Sequence, residues 1–175
     1  MTQLDATALR ELQAPLKQRY REHPEAASVP VGAEAAFEAG DEGVVSCTVQ
    51  GWSGPVRAGL HRATGGDGSD ACSGDMLLEA LLACAGVTLR SVATAMGISL
   101  RSASLSAEGA FDARGTLAVD REVPVGVHDL VVTVEIDSDA DDAALARLAT
   151  ATERYCVVGQ SLRTSPQFLV RRKPA

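Results

Sequence analysis

Aromatic residues are scarce in this chain: one Trp, two Tyr and three Phe, 3% of 175 residues. The stacking platforms that hold single-stranded nucleic acid need such rings. A basic face is missing too, because 23 acidic against 16 basic residues leave a net charge of −7. That is the wrong sign for a phosphate backbone, so no nucleic-acid partner is expected. No run reaches the roughly 20 apolar residues of a bilayer span; the longest, Ala80 to Leu89, is about half that length, and no membrane association is expected. The N-terminal stretch MTQLDATALRELQAPLKQRYREHPE lacks the apolar segment of a secretory signal. The expected location is therefore cytoplasmic. There the four cysteines, Cys47, Cys72, Cys84 and Cys156, default to free thiols, and any disulfide is transient and functional.

What is present is ordinary for a folded chain: 46% hydrophobic and 22% charged residues, with Val, Leu and Ala left to build the core. The length suits one domain over residues 1–175, with 1–28 as an N-terminal helical arm. In residues 3–22, Leu4, Ala8, Leu9, Leu12, Leu16 and Tyr20 recur at helical spacing, with Pro15 inside and His23-Pro24 as a stop. Thr48–Trp52 and Val56–Arg62 read as short strands around Ser53-Gly54-Pro55. ATGGDGSDACSG, residues 63–74, has loop composition. A helix is predicted from Ser73 or Gly74 to Met96, stopped by Gly97. Its middle, Ala80 to Val87, is apolar around the whole circumference, which predicts burial on all sides with Cys84 at the centre. Strands follow at Ile98–Ala110 and Leu130–Ile136, with a hairpin arm or long loop over 115–126. A second helix over Asp139–Tyr155, the stretch Cys156–Leu162 and a final strand Gln167–Val170 complete the order. Irregular alternation of strands and helices predicts an α+β fold with a mainly antiparallel sheet.

Short motifs compete for a function. Gly66-Asp67-Gly68-Ser69-Asp70-Ala71 matches G-x-G-x-x-A, but a dinucleotide site needs a strand directly before the glycines and a helix opening on them. Asp67, Asp70 and Asp75 lack the spacing of a calcium loop. No two cysteines stand at the C-x₂₋₄-C spacing of a zinc site. No cofactor and no metal are expected. Cys84 and Cys156 remain. As buried small hydrophobes they need no role. Yet Cys84 has small neighbours one turn away, Ala80 and Thr88, which leave room for a ligand, and Cys156 ends a helix at a packing junction.

At these residues the chain resembles the OsmC-like family of osmotically inducible and organic-hydroperoxide-resistance proteins. The resemblance is carried by GLHRATGGDGSDACSGDMLLEALLACAGVTLRSVATAMGI (Gly59 to Ile98), by FDARGTL, and by RYCVVGQSL (Arg154 to Leu162). The family's usual Cys-Pro is Cys156-Val157 here. The N-terminal arm is similar to that of a subgroup whose leading helix ends in Pro-Glu-Ala-Ala. The resemblance implies an intertwined homodimer around a long buried central helix, with two sites at the interface. It makes Cys84 the peroxidatic thiol and Cys156 the resolving one, with an organic hydroperoxide as substrate and an external dithiol, such as a lipoylated protein, as reductant.

The nucleophile is the thiolate, and apolar burial of a mid-helix cysteine raises its pKa, so a cation is expected beside Cys84. Members of the family use an Arg held by a Glu. This chain has Asp67 and Gly74 at the corresponding places. Of the upstream cations Arg57 and Arg62, Arg62 is the favoured candidate, with Asp75 as the carboxylate that orients it. The alternative is a non-catalytic dimer of the same fold that binds a small apolar ligand or senses oxidation.

Overall fold

A computed structural model of the chain describes residues 5–37 and 45–173. Leu4 and the end of the polar tail lie outside the described residues. The elements in chain order are α1 (Ala6–Glu22), β1 (Ala35–Ala36), β2 (Ser46–Gly51), β3 (Gly54–Gly59), β4 (Ala71–Cys72), α2 (Ser73–Met96), β5 (Ser102–Ala110), α3 (Ala113–Thr116), β6 (His128–Asp137), α4 (Asp142–Tyr155), α5 (Val157–Gln160) and β7 (Gln167–Arg172). This is the α+β class, with strands in two sheets ordered β1-β2-β3-β4 and β5-β6-β7. The pairs β1/β2 and β2/β3 are antiparallel, while β3/β4 and β6/β7 are parallel. A parallel neighbour needs a crossover of a dozen or more residues, and α4 with α5 supplies it for β6 and β7.

The chain divides into two compact units: residues 1–30, 81–107 and 131–175 form the first, and 31–80 with 108–130 the second. In the first, Val132, Val134 and Ile136 face one way from β6 by the two-residue period of a strand. They meet Leu81, Ala85, Leu89 and Ala93 of α2 and Leu145 and Leu148 of α4 in one buried cluster that also contains Cys156. Fully burying a Leu or Ile contributes roughly 1.5–3 kcal/mol. The polar Thr152 is buried in the same place because its hydroxyl donates to the Leu148 carbonyl at 2.8 Å. In α1, Asp5 caps the first turn by accepting from the amides of Thr7 and Ala8. None of the described side chains of α1 is buried.

The buried positions of α2 recur every fourth residue along one stripe. Burial on all sides is therefore not what this single chain shows: Val87 is 73% exposed. Apolar letters around a helix say that its faces avoid water, but not what covers them. The helix also runs further than the apolar letters, because hydroxyl and small residues extend it to 24 residues. By length and composition alone it is long and apolar enough to cross a membrane, contrary to the expectation from its apolar run. Its buried stripe is nevertheless occupied by β6 and α4. Gly97 ends it with φ +69°, a left-handed conformation that costs glycine little.

In the second unit, β2 and β3 form a hairpin in which Gly51 pairs with Gly54 across Trp52-Ser53. The strand expected to reach Arg62 stops at Gly59, and Arg62–Thr64 instead make a 3₁₀ turn. The cause is the His61 ring, whose Nδ1 accepts the Ala63 amide at 3.0 Å. Within the stretch of loop composition, Ala71 and Cys72 pair in parallel with Ala58 and Gly59. Of the stretch 115–126, residues 115–116 end the one-turn helix α3 and 117–126 form a loop.

Candidate active site

Cys156 sits between two helices and serves both. Its amide donates to the Thr152 carbonyl at 3.0 Å, closing α4, and its sulfur accepts the Gly159 amide at 3.4 Å, opening α5. A Cβ at Gly159 would make ordinary contacts, 3.4 Å from the Cys156 sulfur and 3.6 Å from Leu81 Cδ1. Cys156 itself has no exposed surface.

Folding brings Cys84 of α2 to this junction. The two thiols influence each other's ionisation, and Cys84 packs half-buried against the core that encloses Cys156. Both are free thiols. Burial pushes the Cys84 thiol up. The Val158 amide, the Cys156 thiol, the Thr88 hydroxyl and the Val157 amide outweigh it and hold Cys84 below the ordinary thiol value. For Cys156 the balance is reversed. Burial raises it, the Gly159 amide only partly offsets that, and its proton is further retained by the bond to Cys84. The two thiols are thus pushed in opposite directions: the partly exposed Cys84 ionises more readily than the enclosed Cys156. Such an arrangement suits nucleophilic attack by Cys84 and subsequent closure of a disulfide.

Arg62 and Asp75 belong to the second unit. The Arg62 side chain lies over Gly68, where a Cβ would come within 2.3 Å of its Nε. Asp67 is held below the usual carboxylate range by the hydroxyl and amide of Ser69, with Arg62 adding to the effect. Asp75 is exposed in the first turn of α2. Cys47 and Cys72 share a sheet, Cys47 opposite Ala58 and Cys72 opposite Gly59. In the glycine loop β4 stands between the glycines and α2, so no helix opens on them as a dinucleotide site requires. Among the described residues, no group of three or more His, Cys, Asp or Glu side chains is placed to hold a metal ion.

Sequence reasoning missed the polar groups that lower the Cys84 pKa. Thr88 entered only as a small neighbour. Its signal was a hydroxyl four residues on, which a helix places on the same face. The amides of Val157 and Val158 carry no signal in side-chain letters.

This fold and this cysteine pair define a class. Residues 66–171 match the family model of OsmC-like proteins, and the chain belongs to the OsmC-like family. No curated protein matches it by sequence. Among solved structures it is similar to an OsmC-like protein from Mycoplasma pneumoniae, at 14% identity over 83% of this chain and 97% of the other, with a TM-score of 0.64. It is similar to an organic hydroperoxide resistance protein from Elizabethkingia anophelis, at 11% identity, 85% and 99% coverage and a TM-score of 0.63. A third, the organic hydroperoxide resistance protein OsmC from Legionella pneumophila, matches at 16% identity, 84% and 100% coverage and a TM-score of 0.59. At these identities the likeness is one of fold.

Proposed function

We propose that the protein is a thiol-dependent peroxidase that reduces organic hydroperoxides through Cys84 and Cys156. Family membership and the names of its structural relatives support a redox role in peroxide stress. The observation that carries the finer reading is the half-buried Cys84, its thiol held below the ordinary value, packed against the core that encloses Cys156, whose thiol is pushed up. In the first step the Cys84 sulfur attacks the terminal peroxide oxygen: an S–O bond forms, the O–O bond breaks, and the alkoxide leaves as alcohol after taking a proton. Cys84 is then a sulfenic acid. Cys156 attacks that sulfur, forming the disulfide and releasing water. An external dithiol, such as a lipoylated protein, restores both thiols by exchange.

The working unit is a homodimer. Its support is the apolar surface that this chain leaves bare: Val87 on α2, and Leu117, Val119 and Val125 in the second unit are all exposed. A second copy of the chain would cover such surface, as expected where apolar side chains gather. Arg62, oriented by Asp75, is the cation expected to favour the Cys84 thiolate, in place of the family's Arg, whose position is Asp67 here. The location remains the expected cytoplasm, where dithiol reductants operate.

The test is consumption of tert-butyl hydroperoxide with dihydrolipoamide as reductant. Turnover by the wild type, a Cys84–Cys156 disulfide by mass spectrometry, and loss of turnover in Cys84→Ser are expected. Undiminished turnover in Cys84→Ser would overturn the mechanism. A non-catalytic ligand-binding reading is favoured by a second feature, a cavity of about 230 Å³ in the second unit lined by Leu60, His61, Cys72, Phe111, Val125 and Val127. Absence of turnover in the wild type, with binding of a small apolar probe there, would select that reading.

A further inference from the structure

We propose that a cavity on the side of α2 away from Cys84 binds a small carboxylate that carries an alkyl chain. The site belongs to the first unit alone, and it is independent of the reaction proposed for Cys84.

The cavity holds about 320 Å³ and lies between the second half of α2 and the chain from Ile98 to Leu105. Small-molecule sites span roughly 300–1,000 Å³. At ~30 Å³ per water there is room for about ten waters, or for a carboxylate with a chain of roughly eight carbons. At about 100° per residue, Gly86 and Arg90 stand roughly 200° and 240° around the helix from Cys84. The cysteine pair and the cavity therefore use different faces of one helix.

The floor of the cavity is apolar. Leu89 and Ala93 are 2% and 1% exposed, and Ile98, Leu100 and Leu105 pack against the same core. Gly86 keeps one end open. A glycine inside a helix is unfavourable relative to alanine, and a Cβ here would meet no atom within 4 Å. Nothing in the packing of this chain therefore requires the glycine, and a side chain in its place would enter the cavity.

The rim carries two arginines in different states. Arg101 Nε donates to Asp137 Oδ1 at 2.8 Å and its Nη1 to Asp139 Oδ2 at 2.5 Å, so carboxylates of this chain already occupy that guanidinium. Arg90 is exposed, and among the described residues no acceptor engages its side chain. Ser102, also on the lining, accepts from Lys173 Nζ at 3.1 Å, which adds a second cation at that edge. A guanidinium fork matches one planar carboxylate by two parallel N–H···O bonds. An apolar floor under a cationic rim selects an amphiphile, with its head on Arg90 and its chain over Leu89 and Ala93.

The experiment titrates octanoate into the isotope-labelled full chain and follows the amide shifts by NMR. Saturable shifts are expected at the residues from Gly86 to Leu105 that line the cavity. Acetate, which has the head without the chain, should bind at least about tenfold more weakly. Arg90→Gln should weaken octanoate about tenfold, the worth of a hydrogen bond to a charged group, and leave the binding of octanol unchanged. Gly86→Phe, which fills the open end, should remove the binding of both, whereas Gly86→Ala should keep it. Shifts that do not saturate or that lie elsewhere overturn the inference. So do an octanoate affinity unmoved by Arg90→Gln and an equal weakening of octanol in that variant. Should Gly86→Phe fail to fold, Arg90→Gln decides alone, since an exposed side chain is not needed for the fold. If a second copy of the chain covers this face instead, no octanoate shift appears there, and the inference falls.

Discussion

The two units of the molecule are built on different physics. The first buries ten apolar side chains from α2, β6, α4 and the Cys156 junction in one cluster. Among the described residues of the second, the one apolar side chain classed as buried is Ala58. What holds that unit is backbone fit and polar pairing. Gly66 lies against the Leu60 carbonyl so closely that a Cβ would stand 1.8 Å from its oxygen. Asp70 pairs with Arg57 at 3.0 Å across the sheet. The cysteine pair lies in the unit with the dense core, and this is where precision is available. A hydrogen bond to sulfur needs its donor held to a fraction of an ångström, and close-packed side chains supply that rigidity. Both units leave apolar side chains exposed, Val87 and Val157 in the first and Leu117, Val119 and Val125 in the second.

The sharpest way to break this contrast is to open the core of the first unit. Leu148 of α4 has no exposed surface. Leu148→Ala should cost about 3 kcal/mol, the lost transfer energy plus an unfilled cavity. Chemical denaturation would measure it. Because α4 delivers Cys156 to Cys84, the same variant should form the disulfide more slowly after peroxide. A loss below about 1 kcal/mol, as is usual for exposed positions, would mean that the cluster does not hold this unit.

A smaller effect, confined to the other unit, is expected of Gly66→Ala. The added methyl meets backbone rather than a flexible side chain, so the loop from Gly65 to Asp70 must move, at a cost of about 2 kcal/mol. Hydrogen exchange should show faster amide exchange at residues 59–72, with protection in β6 and α4 unchanged. Equal loss of protection in both units would show that they unfold as one, and the contrast drawn above would fail.

The parts of this molecule that sequence reasoning reached are those in which side chains carry the signal. The limits of α2 follow from Gly97 and the acidic first turn, and β6 from the alternation in LVVTVEI. Cys84 and Cys156 stood out by their settings, and folding joins them. The parts it did not reach depend on backbone or on distant partners. β4 is two residues long within loop-like letters and exists because β3 offers an edge. Arg62 leaves the strand because a histidine ring caps the turn behind it. Cys156 is fixed at its junction by the Gly159 amide, which donates to its sulfur, and an amide has no letter of its own.

The smallest effect concerns charge on the surface of the second unit. Asp112 caps α3 and pairs with Arg114, whose Nη2 lies 2.6 Å from the carboxylate. The Arg114 side chain first, and its amide second, lower the Asp112 pKa to about 2. A carboxylate with a depressed folded pKa stabilises above its unfolded value and loses that contribution as pH falls through the folded one. The window therefore runs from the ordinary 3.8 down to about 2. The Arg114 side chain is 62% and the Asp112 side chain 30% exposed, so solvent screens the pair, and pairs of this kind contribute little at neutral pH. Asp112→Asn, which keeps an oxygen for the cap, should leave the melting temperature at pH 7 within the error of the measurement. Carbon-detected titration of the wild-type carboxyl should nevertheless show a midpoint clearly below that of a free aspartate. A large drop in melting temperature would mean that surface ion pairs, rather than the glycine contacts of the loop, hold the second unit together.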